Sequence, residues 1–265
     1  MLVAHRGGSK LVPENTLVAF RAGVREWGAD MLEMDVRLTR DGHVVVFHDA
    51  ALDRTTNGSG LVADHTLEQI RSLDAAHAFE DLDGCHSFRG QGVTVPTLEE
   101  VLEACPDVWI NVEVKEARVA GPLVDVIDRY AAHDRVLIAS AIEVWRRDAL
   151  GYPGPWGASR CQCLSFWLTH RLRGGGPYTP AADVFQVPEF WMGKRVVSPR
   201  FIREAHRRNI PVQLWTVDDP DDMRRLLSWG VDGIHTDRPD LLAAVLTDVA
   251  GRPPPPGERQ AEAPV

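Results

Sequence analysis

The sequence has few cysteines and no long apolar run, and both absences exclude classes of protein. Its four cysteines, Cys85, Cys105, Cys161 and Cys163, form no CxxC pair and fit no zinc-site spacing. We therefore expect reduced structural thiols, which is typical of a cytoplasmic protein. No apolar run approaches the roughly 20 residues that span a bilayer, and the first residues lack the pattern of a signal peptide. Stable membrane insertion is not expected.

Positive charge is also scarce. The chain carries 29 Lys and Arg against 38 Asp and Glu, a net charge of −9. Binding to nucleic acid requires a concentrated positive surface, so we do not expect a nucleic-acid partner. A small anionic substrate remains compatible with the composition, because a bound metal or a few local cations can reverse the sign of the field in one pocket.

Short apolar runs alternate with amphipathic helical patterns along residues 1–250. Several helices have clear start signals, such as the capping box that Thr97 forms with Glu100. Such alternation predicts an α/β fold with a parallel sheet. About eight units in a chain of this length favour a single-domain (β/α)8 TIM barrel. The alternative is a doubly wound open sheet, although no GxGxxG follows the first predicted strand.

Two segments depart from this alternation. Residues 74–96 contain Gly84, Gly90 and Gly92 and predict one polar insertion in the barrel. Residues 251–265 read GRPPPPGERQAEAPV, a composition that is too poor in large apolar residues to form a core. We expect this second segment to be a disordered tail.

Two predicted strands carry carboxylates where parallel strands are normally apolar. In Met31–Leu38 the even-numbered positions are aliphatic, whereas Glu33 and Asp35 fall on the opposite face. Residues 108–115 repeat the pattern, with Glu113 on the polar face. Because side chains alternate across a strand, the aliphatic faces should pack under the helices and the carboxylates should point into the barrel.

Uncompensated buried carboxylates cost several kcal/mol each, so this arrangement requires a partner. Glu33, Asp35 and Glu113 offer only oxygen ligands, which suit Mg²⁺ or Ca²⁺. The sequence therefore predicts a site for one divalent cation. The alternative is internal salt bridging by Arg37 and Lys115.

Two histidines are predicted at strand ends, where barrel active sites lie. His5 ends the first predicted strand and His48 ends an apolar run that begins at Val44. Each alone could be structural, but two imidazoles beside an acidic cluster can serve as general acid and general base near neutral pH. Arg6 and Lys115 would bind a phosphoryl group and offset its charge.

An ordered set of motifs resembles the glycerophosphodiester phosphodiesterase family. The set spans positions 5 to 239 and comprises His5-Arg6-Gly7, Pro13-Glu14-Asn15-Thr16, Glu33-x-Asp35, His48-Asp49, Leu52-Asp53-Arg54-Thr55-Thr56-Asn57-Gly58, Asn111-x-Glu113-x-Lys115, Trp215-Thr216-Val217, and Gly230-Val231-Asp232-Gly233 running to Thr236-Asp237-Arg238-Pro239.

The resemblance implies a TIM barrel that hydrolyses glycerophosphodiesters to glycerol 3-phosphate and an alcohol. It assigns the metal to Glu33, Asp35 and Glu113, the acid–base pair to His5 and His48, and phosphate contacts to Arg6 and Lys115. It also implies that Trp215 packs against the glycerol end of the substrate, although Trp215 could instead fill the barrel. We further expect Gln186 to face the pocket. His235 departs from the family, which usually has an aliphatic residue or Met there.

Three other functions stay open. The nearest is lysophospholipase D-like or phospholipase activity on lipid phosphodiesters at the same site, although the acidic charge and the polar 74–96 insertion favour water-soluble diesters. A barrel amidohydrolase usually carries His-x-His after the first strand, where this chain has His5-Arg6-Gly7. A non-catalytic binding module would be expected to lack one of the catalytic set, and none is missing.

Overall fold

The computed structural model describes residues 1–172 and 175–261. Its strands are β1 (Leu2–Ala4), β2 (Met31–Leu38), β3 (Val44–Val46), β4 (Trp109–Val114), β5 (Val136–Ala139), β6 (Phe185–Val187), β7 (Phe190–Trp191), β8 (Lys194–Arg195), β9 (Val212–Leu214) and β10 (Gly233–Thr236). Its helices are α1 (Leu17–Arg25), α2 (Leu67–Arg71), α3 (Leu98–Ala104), α4 (Ala120–Arg129), α5 (Arg160–Thr169), α6 (Pro199–His206), α7 (Pro220–Ser228), α8 (Pro239–Ala250) and α9 (Pro256–Ala261).

Seven parallel strands form a curled sheet in the order β5-β4-β2-β1-β10-β9-β6. Between β5 and β6 there is no regular strand in the described part of the chain, and isolated parallel bridges join Ile138 to Trp156 and Gly157 to Val184. The fold is therefore α/β and TIM-barrel-like, as the alternation predicted, with an interruption at this one position.

The helices begin where the sequence offers caps. Thr97 and Glu100 form the predicted capping box at the start of α3, and the Asp219 carboxylate accepts from two backbone amides at the start of α7. Each cap satisfies donors that have no partner within the helix. These starts place each helix directly after the loop that follows a strand.

The aliphatic faces of the strands pack under the helices, as predicted. Leu32, Met34 and Val36 of β2 are fully buried in one cluster with helical residues such as Phe20 and Leu123. The opposite faces of β2 and β4 consequently line the concave side of the curled sheet, and this is where their carboxylates lie.

His48 reaches the barrel by a different route from the one that the sequence suggested. β3 runs antiparallel to β2, pairing Val46 with Val36, so His48 does not end a parallel barrel strand. The reversal occurs in a tight turn in which the Thr39 amide donates to the His43 carbonyl and Gly42 has a φ of +87°. Glycine adopts this left-handed conformation without the penalty of a Cβ.

The 74–96 segment is polar only in its middle. Its ends contribute Ala75, Ala76, Val93 and Val95 to a second buried cluster that also contains Phe47 of the chain after β3. This small core explains why the excursion packs as an ordered unit, which composition alone did not indicate.

The sequence predicts a disordered tail, but the described residues 251–261 contact the rest of the fold. Arg252 pairs with the Asp30 carboxylate at 2.7 Å, and the Gly257 amide donates to the Glu26 carbonyl at 3.0 Å. A single arginine and backbone groups provide this docking, so the lack of large apolar residues did not exclude it. Residues 262–265 lie outside the described residues. None of the described helices is long and apolar enough to cross a bilayer.

Candidate active site

Three carboxylates meet inside the sheet near the C-terminal ends of β2 and β4. Oxygens of Glu33, Asp35 and Glu113 all lie within 4.8 Å of one another. The parallel register produces this cluster, because it places Asp35 directly beside Glu113 and Glu33 beside Asn111. The cluster could hold a divalent cation, and the sequence-predicted ligand set is thus brought together.

The electrostatics of the cluster leave negative charge incompletely compensated. Burial and the negative charge of Asp35 raise the pKa of Glu33 to about 7. Burial opposes ionisation of Asp35 as well, but Lys115 and Arg6 hold its pKa below the usual value. On the same interior face the Asn111 Oδ1 atom is buried without a hydrogen-bond partner among the described residues. An oxygen-only donor set in this state fits a hard divalent cation.

The alternative of internal salt bridging is realised in part. Lys115 Nζ lies 3.0 Å from Asp35 Oδ1 and 2.8 Å from Glu113 Oε2. Arg37 does not take part in this way, since its Nε donates to the His48 carbonyl at 2.9 Å. One ammonium therefore offsets two of the three carboxylates.

A tight turn after β1 brings Arg6 over the carboxylates. Its backbone amide donates to Glu33 Oε2 at 2.9 Å, and its guanidinium lies 3.0 Å from Glu14 and 3.3 Å from Asp35. The turn depends on Gly7, which has a φ of +86° and whose Cβ, if present, would lie 2.5 Å from the Ala19 side chain. Only glycine fits there.

The imidazole of His5 is held between two carboxylates. Its Nδ1 lies 2.6 Å from Asp237 Oδ1, and its Nε2 lies 3.8 Å from Glu33 Oε2. Burial disfavours the charged ring, but the negative charge of Glu33 and the hydrogen bond to Asp237 prevail and raise the pKa of His5 to about 9. The Nε2 atom is the one that faces the cluster.

His48 has a similar carboxylate partner. Its Nδ1 lies 2.5 Å from Asp49 Oδ1, and the other Asp49 oxygen accepts from Arg54. Although burial opposes it, this contact with Arg54 lowers the pKa of Asp49 to about 2. Arg54 also binds Glu14, which contacts Arg6, so a chain of ion pairs joins the two histidine loops.

Both histidines interact with the acidic cluster. His5 lies beside Glu33, whereas the positive form of His48 contributes to lowering the pKa of Asp35. Two imidazole rings near one set of oxygens suit taking a proton at one point and supplying one at another.

The remaining predicted site residues differ in exposure and in hydrogen bonding. Trp215 is partly exposed and follows β9 at the same end of the sheet. Gln186 lies on the inner face of the curled sheet, but its amide donates to Gln213 Oε1 at 2.9 Å. His235 is buried beside it, with Nε2 3.0 Å from the same oxygen, and burial lowers the pKa of His235 to about 3. His235 therefore faces inward as a neutral ring.

Sequence reasoning missed the carboxylates that orient the histidines. Asp237 and Asp49 were visible only as members of longer motifs, and Glu14 and Arg54 were given no role. For Asp49 the adjacency to His48 was an available signal. For Asp237, 232 residues from its partner, only the pairing of β1 with β10 reveals the contact.

Comparison with known proteins bears on this site. The family model described as "Glycerophosphoryl diester phosphodiesterase family" matches residues 5–150 and 168–241 of this chain. A glycerophosphodiester phosphodiesterase of Caldanaerobacter subterraneus subsp. tengcongensis is 36% identical over 251 residues, which cover 91% of this chain and 96% of that protein.

Solved structures show the same fold. The glycerophosphoryl diester phosphodiesterase domain of a Mycobacterium tuberculosis protein matches with a TM-score of 0.83 at 23% identity, covering 94% of this chain and 98% of that one. An Oleispira antarctica phosphodiesterase, described in complex with the product sn-glycerol-3-phosphate, matches with a TM-score of 0.74 at 23% identity, covering 93% and 96%. The extent of the family match and the identity to the Caldanaerobacter enzyme show that this chain belongs to the glycerophosphoryl diester phosphodiesterase family.

Proposed function

We propose that this chain hydrolyses glycerophosphodiesters to glycerol 3-phosphate and an alcohol, with one divalent cation and two histidines. The observation that carries the proposal is the cluster of Glu33, Asp35 and Glu113, whose oxygens lie within 4.8 Å of one another. His5 Nε2 lies 3.8 Å from Glu33 Oε2, and His48 is near enough to influence Asp35. The substrate class is supported by the name of the Caldanaerobacter relative and by the product named in the Oleispira complex.

Arg6 and Lys115 are the proposed phosphate contacts. A lysine ammonium has three donors, and two of those of Lys115 point to Asp35 and Glu113. The third remains for a phosphoryl oxygen. Arg6 is held over the same carboxylates by Glu14 and its planar guanidinium suits bidentate contact with phosphate. Trp215, exposed beside the barrel opening, is proposed to pack against the glycerol end.

The histidines are the proposed proton carriers. Each binds a carboxylate through Nδ1, which fixes the ring and leaves Nε2 for the substrate. One takes the proton of the attacking glycerol hydroxyl, whose oxygen forms the new bond to phosphorus. The other gives a proton to the leaving alcohol. The cyclic phosphate diester then accepts water with the roles reversed.

Glu33, Asp35 and Glu113 would hold a divalent cation, which would supply Lewis-acid stabilisation of negative charge on the phosphoryl oxygens. The residues of this chain fit such an ion because the donors are all oxygens and the charge of Glu33 is left uncompensated by Lys115.

We also propose that the interrupted sheet functions as a (β/α)8 barrel. Residues 156–158 fill the eighth position, since Gly157 donates to the Ile138 carbonyl at 3.0 Å and Ala158 to the Val184 carbonyl at 2.8 Å. These bonds continue the parallel pattern between β5 and β6 and leave the active-site opening at one end.

The experiment that tests the activity is a panel of glycerophosphodiesters, assayed for released glycerol 3-phosphate and alcohol, and of lysophospholipids, assayed for released alcohol, each with chelator, Mg²⁺ or Ca²⁺. We expect turnover of glycerophosphocholine that stops with EDTA and returns with one of the two ions. Full activity in chelator would remove the metal from the proposal, and release of alcohol only from lysolipids would move the function to a lysophospholipase D-like activity.

The histidine roles are tested by His5→Ala and His48→Ala. Each should lower kcat by at least the ~10²-fold typical of lost acid–base catalysis, and the double variant should be little worse than either single one because the pair acts as a unit. His77→Ala, an exposed histidine outside the site, is the matched control. A histidine whose loss leaves kcat near wild type has a structural role only.

A further inference from the structure

A small exposed hairpin that follows β6 combines large apolar side chains with two cations. β7 and β8 pair in antiparallel fashion, with Phe190 opposite Arg195 and Trp191 opposite Lys194. At its tip Met192 is 88% exposed, and Phe190 and Trp191 are 49% and 48% exposed. Large apolar side chains that remain together in water on a small loop mark a contact surface. We call residues 190–195 the aromatic hairpin.

The aromatic hairpin lies on the active-site end of the fold. It follows the C-terminal end of β6, and the C-terminal ends of parallel strands share one face of such a sheet. The Trp215 amide donates to the carbonyl of Val187, the last residue of β6, which ties the base of this segment to the partly exposed Trp215. The apolar tip therefore stands at the rim of the opening that the carboxylates line.

Cations surround the aromatic side chains. Lys194 and Arg195 belong to the hairpin, and the Arg195 guanidinium lies 5.0 Å from the Phe190 ring centre. From α5 the Arg160 guanidinium lies 5.3 Å from the Trp191 ring centre. The adjoining carboxylate, Glu189, is largely buried and is already bound at 2.8 Å by Arg225. Arg195 also lies 3.6 Å from Glu189, and Arg225 is shared with Asp222. Arg160, Lys194, Arg195 and Arg225 thus outnumber these two carboxylates, and this surface is positive on a chain whose net charge is −9.

Helix α5 extends the same surface. Its sequence, RCQCLSFWLT, contains no acidic residue. Leu164 and Leu168 are more than half exposed and lie four and eight residues after Arg160, so the three share one face of the helix. The Trp167 indole donates to the Arg195 carbonyl at 3.2 Å and holds α5 against the hairpin.

We propose that the aromatic hairpin and the exposed face of α5 dock this chain on anionic lipid surfaces, with the active-site opening turned towards the lipid. Aromatic residues and Met with adjacent Arg and Lys suit the boundary between acyl chains and headgroups, where the rings bury and the cations stay at the anionic surface. The acidic remainder of the chain is screened beyond about 10 Å at ordinary ionic strength. This contact is peripheral and does not depend on the proposed catalysis.

The direct test is flotation of the full chain with vesicles of phosphatidylcholine alone or mixed equally with phosphatidylglycerol. We expect binding to the anionic vesicles that weakens as salt is added. Lys194→Gln with Arg195→Gln should weaken binding roughly 25-fold, at about fivefold for each cation near the surface. Met192→Ser should weaken it several-fold, and since Met192 is almost fully exposed this variant keeps its fold.

Matched controls separate the docking surface from general effects. Leu82→Ser removes an exposed leucine from the 74–96 segment, and Arg207→Gln removes a cation after α6, at the opposite end of the fold. Both should bind vesicles like wild type, and all variants should hydrolyse dissolved glycerophosphocholine like wild type. The proposal would be overturned by equal binding to both vesicle types or by unaltered binding of the hairpin variants. It would also be overturned by a dimer in light scattering that Met192→Ser dissociates, which would assign this surface to a second copy of the chain.

Discussion

The Asp237 carboxylate is the group that we expect to control the proton on His5. Its Oδ1 lies 2.6 Å from His5 Nδ1, so the neutral ring carries its proton there and presents Nε2 to the site. In Asp237→Asn the shape is kept but the charge is lost, and the amide can offer either a donor or an acceptor to the ring. The local backbone conformation should be unchanged in this variant, because Asp218 accepts hydrogen bonds from the Asp237 amide and from the Thr236 hydroxyl, both at 2.8 Å.

The size of the effect follows from what the contact does. If the ring adopts the wrong tautomer, most of the acid–base contribution of His5 is lost, about 10²- to 10⁴-fold in kcat. This corresponds to roughly 3–5 kcal/mol of barrier. KM should change little, because Asp237 contacts the histidine and not the residues proposed to bind phosphate. In the ion-free protein the pKa of His5, raised to about 9 against the effect of burial, should fall when the Asp237 charge is removed.

The assay is steady-state hydrolysis of glycerophosphocholine, together with NMR titration of the His5 ring in the ion-free protein. Asp221→Asn, at a fully solvated carboxylate in α7, is the matched control and should leave both readings unchanged. A kcat within threefold of wild type, with an unaltered His5 titration, would refute the proposed role of Asp237.

Three further predictions concern the metal site, the barrel interior and the C-terminal segment. Glu33→Gln should weaken Mg²⁺ or Ca²⁺ binding in isothermal titration by roughly tenfold or more, since affinity follows ligand charge, while the circular dichroism spectrum stays the same. Burial lowers the pKa of His235 to about 3, so between pH 3 and 6.5 the unfolded chain binds more protons than the folded one, and stability falls as the pH drops through this window. In urea unfolding, His235→Met should reduce the stability lost between pH 8 and pH 5 by roughly 2 kcal/mol. An unchanged loss of stability between these two pH values would contradict a neutral buried ring. Removal of residues 252–265 should lower Tm by about 2–4 °C, because the partly exposed pair of Arg252 with Asp30 is lost; an unchanged Tm would restore the expectation of a freely disordered tail.

Much of the candidate site was predictable because strand side chains alternate with a period of two. That period separates Glu33 and Asp35 from the aliphatic positions of β2, and the structure confirms that these carboxylates lie inside the sheet with Glu113. The roles of these residues and of His5 and His48 in catalysis stay predictions. The capping box at Thr97 is local in the same way and is confirmed.

Features that depend on chain direction or on long-range pairing were not predictable in this way. The apolar run before His48 has the composition of a barrel strand, yet the turn at Gly42 makes it antiparallel to β2. The 74–96 segment has a polar composition, yet four small apolar residues at its ends suffice for a second core with β3 and the chain that follows it. The composition of a segment does not predict which of its side chains pack against other parts of the chain.

The sequence by itself determined the α/β alternation, the inward carboxylates and the positions of the two histidines near strand ends, since all of these follow from periods of two to four residues along the chain. Only the tertiary structure decided the partners. The pairing of β1 with β10 brings His5 to Asp237 across 232 residues, and the pairing of β2 with β4 brings Lys115 between Asp35 and Glu113. These contacts depend on which strands are neighbours in the sheet, and the β1–β10 pair joins opposite ends of the chain. Local periodicity contains no information about which strands pair.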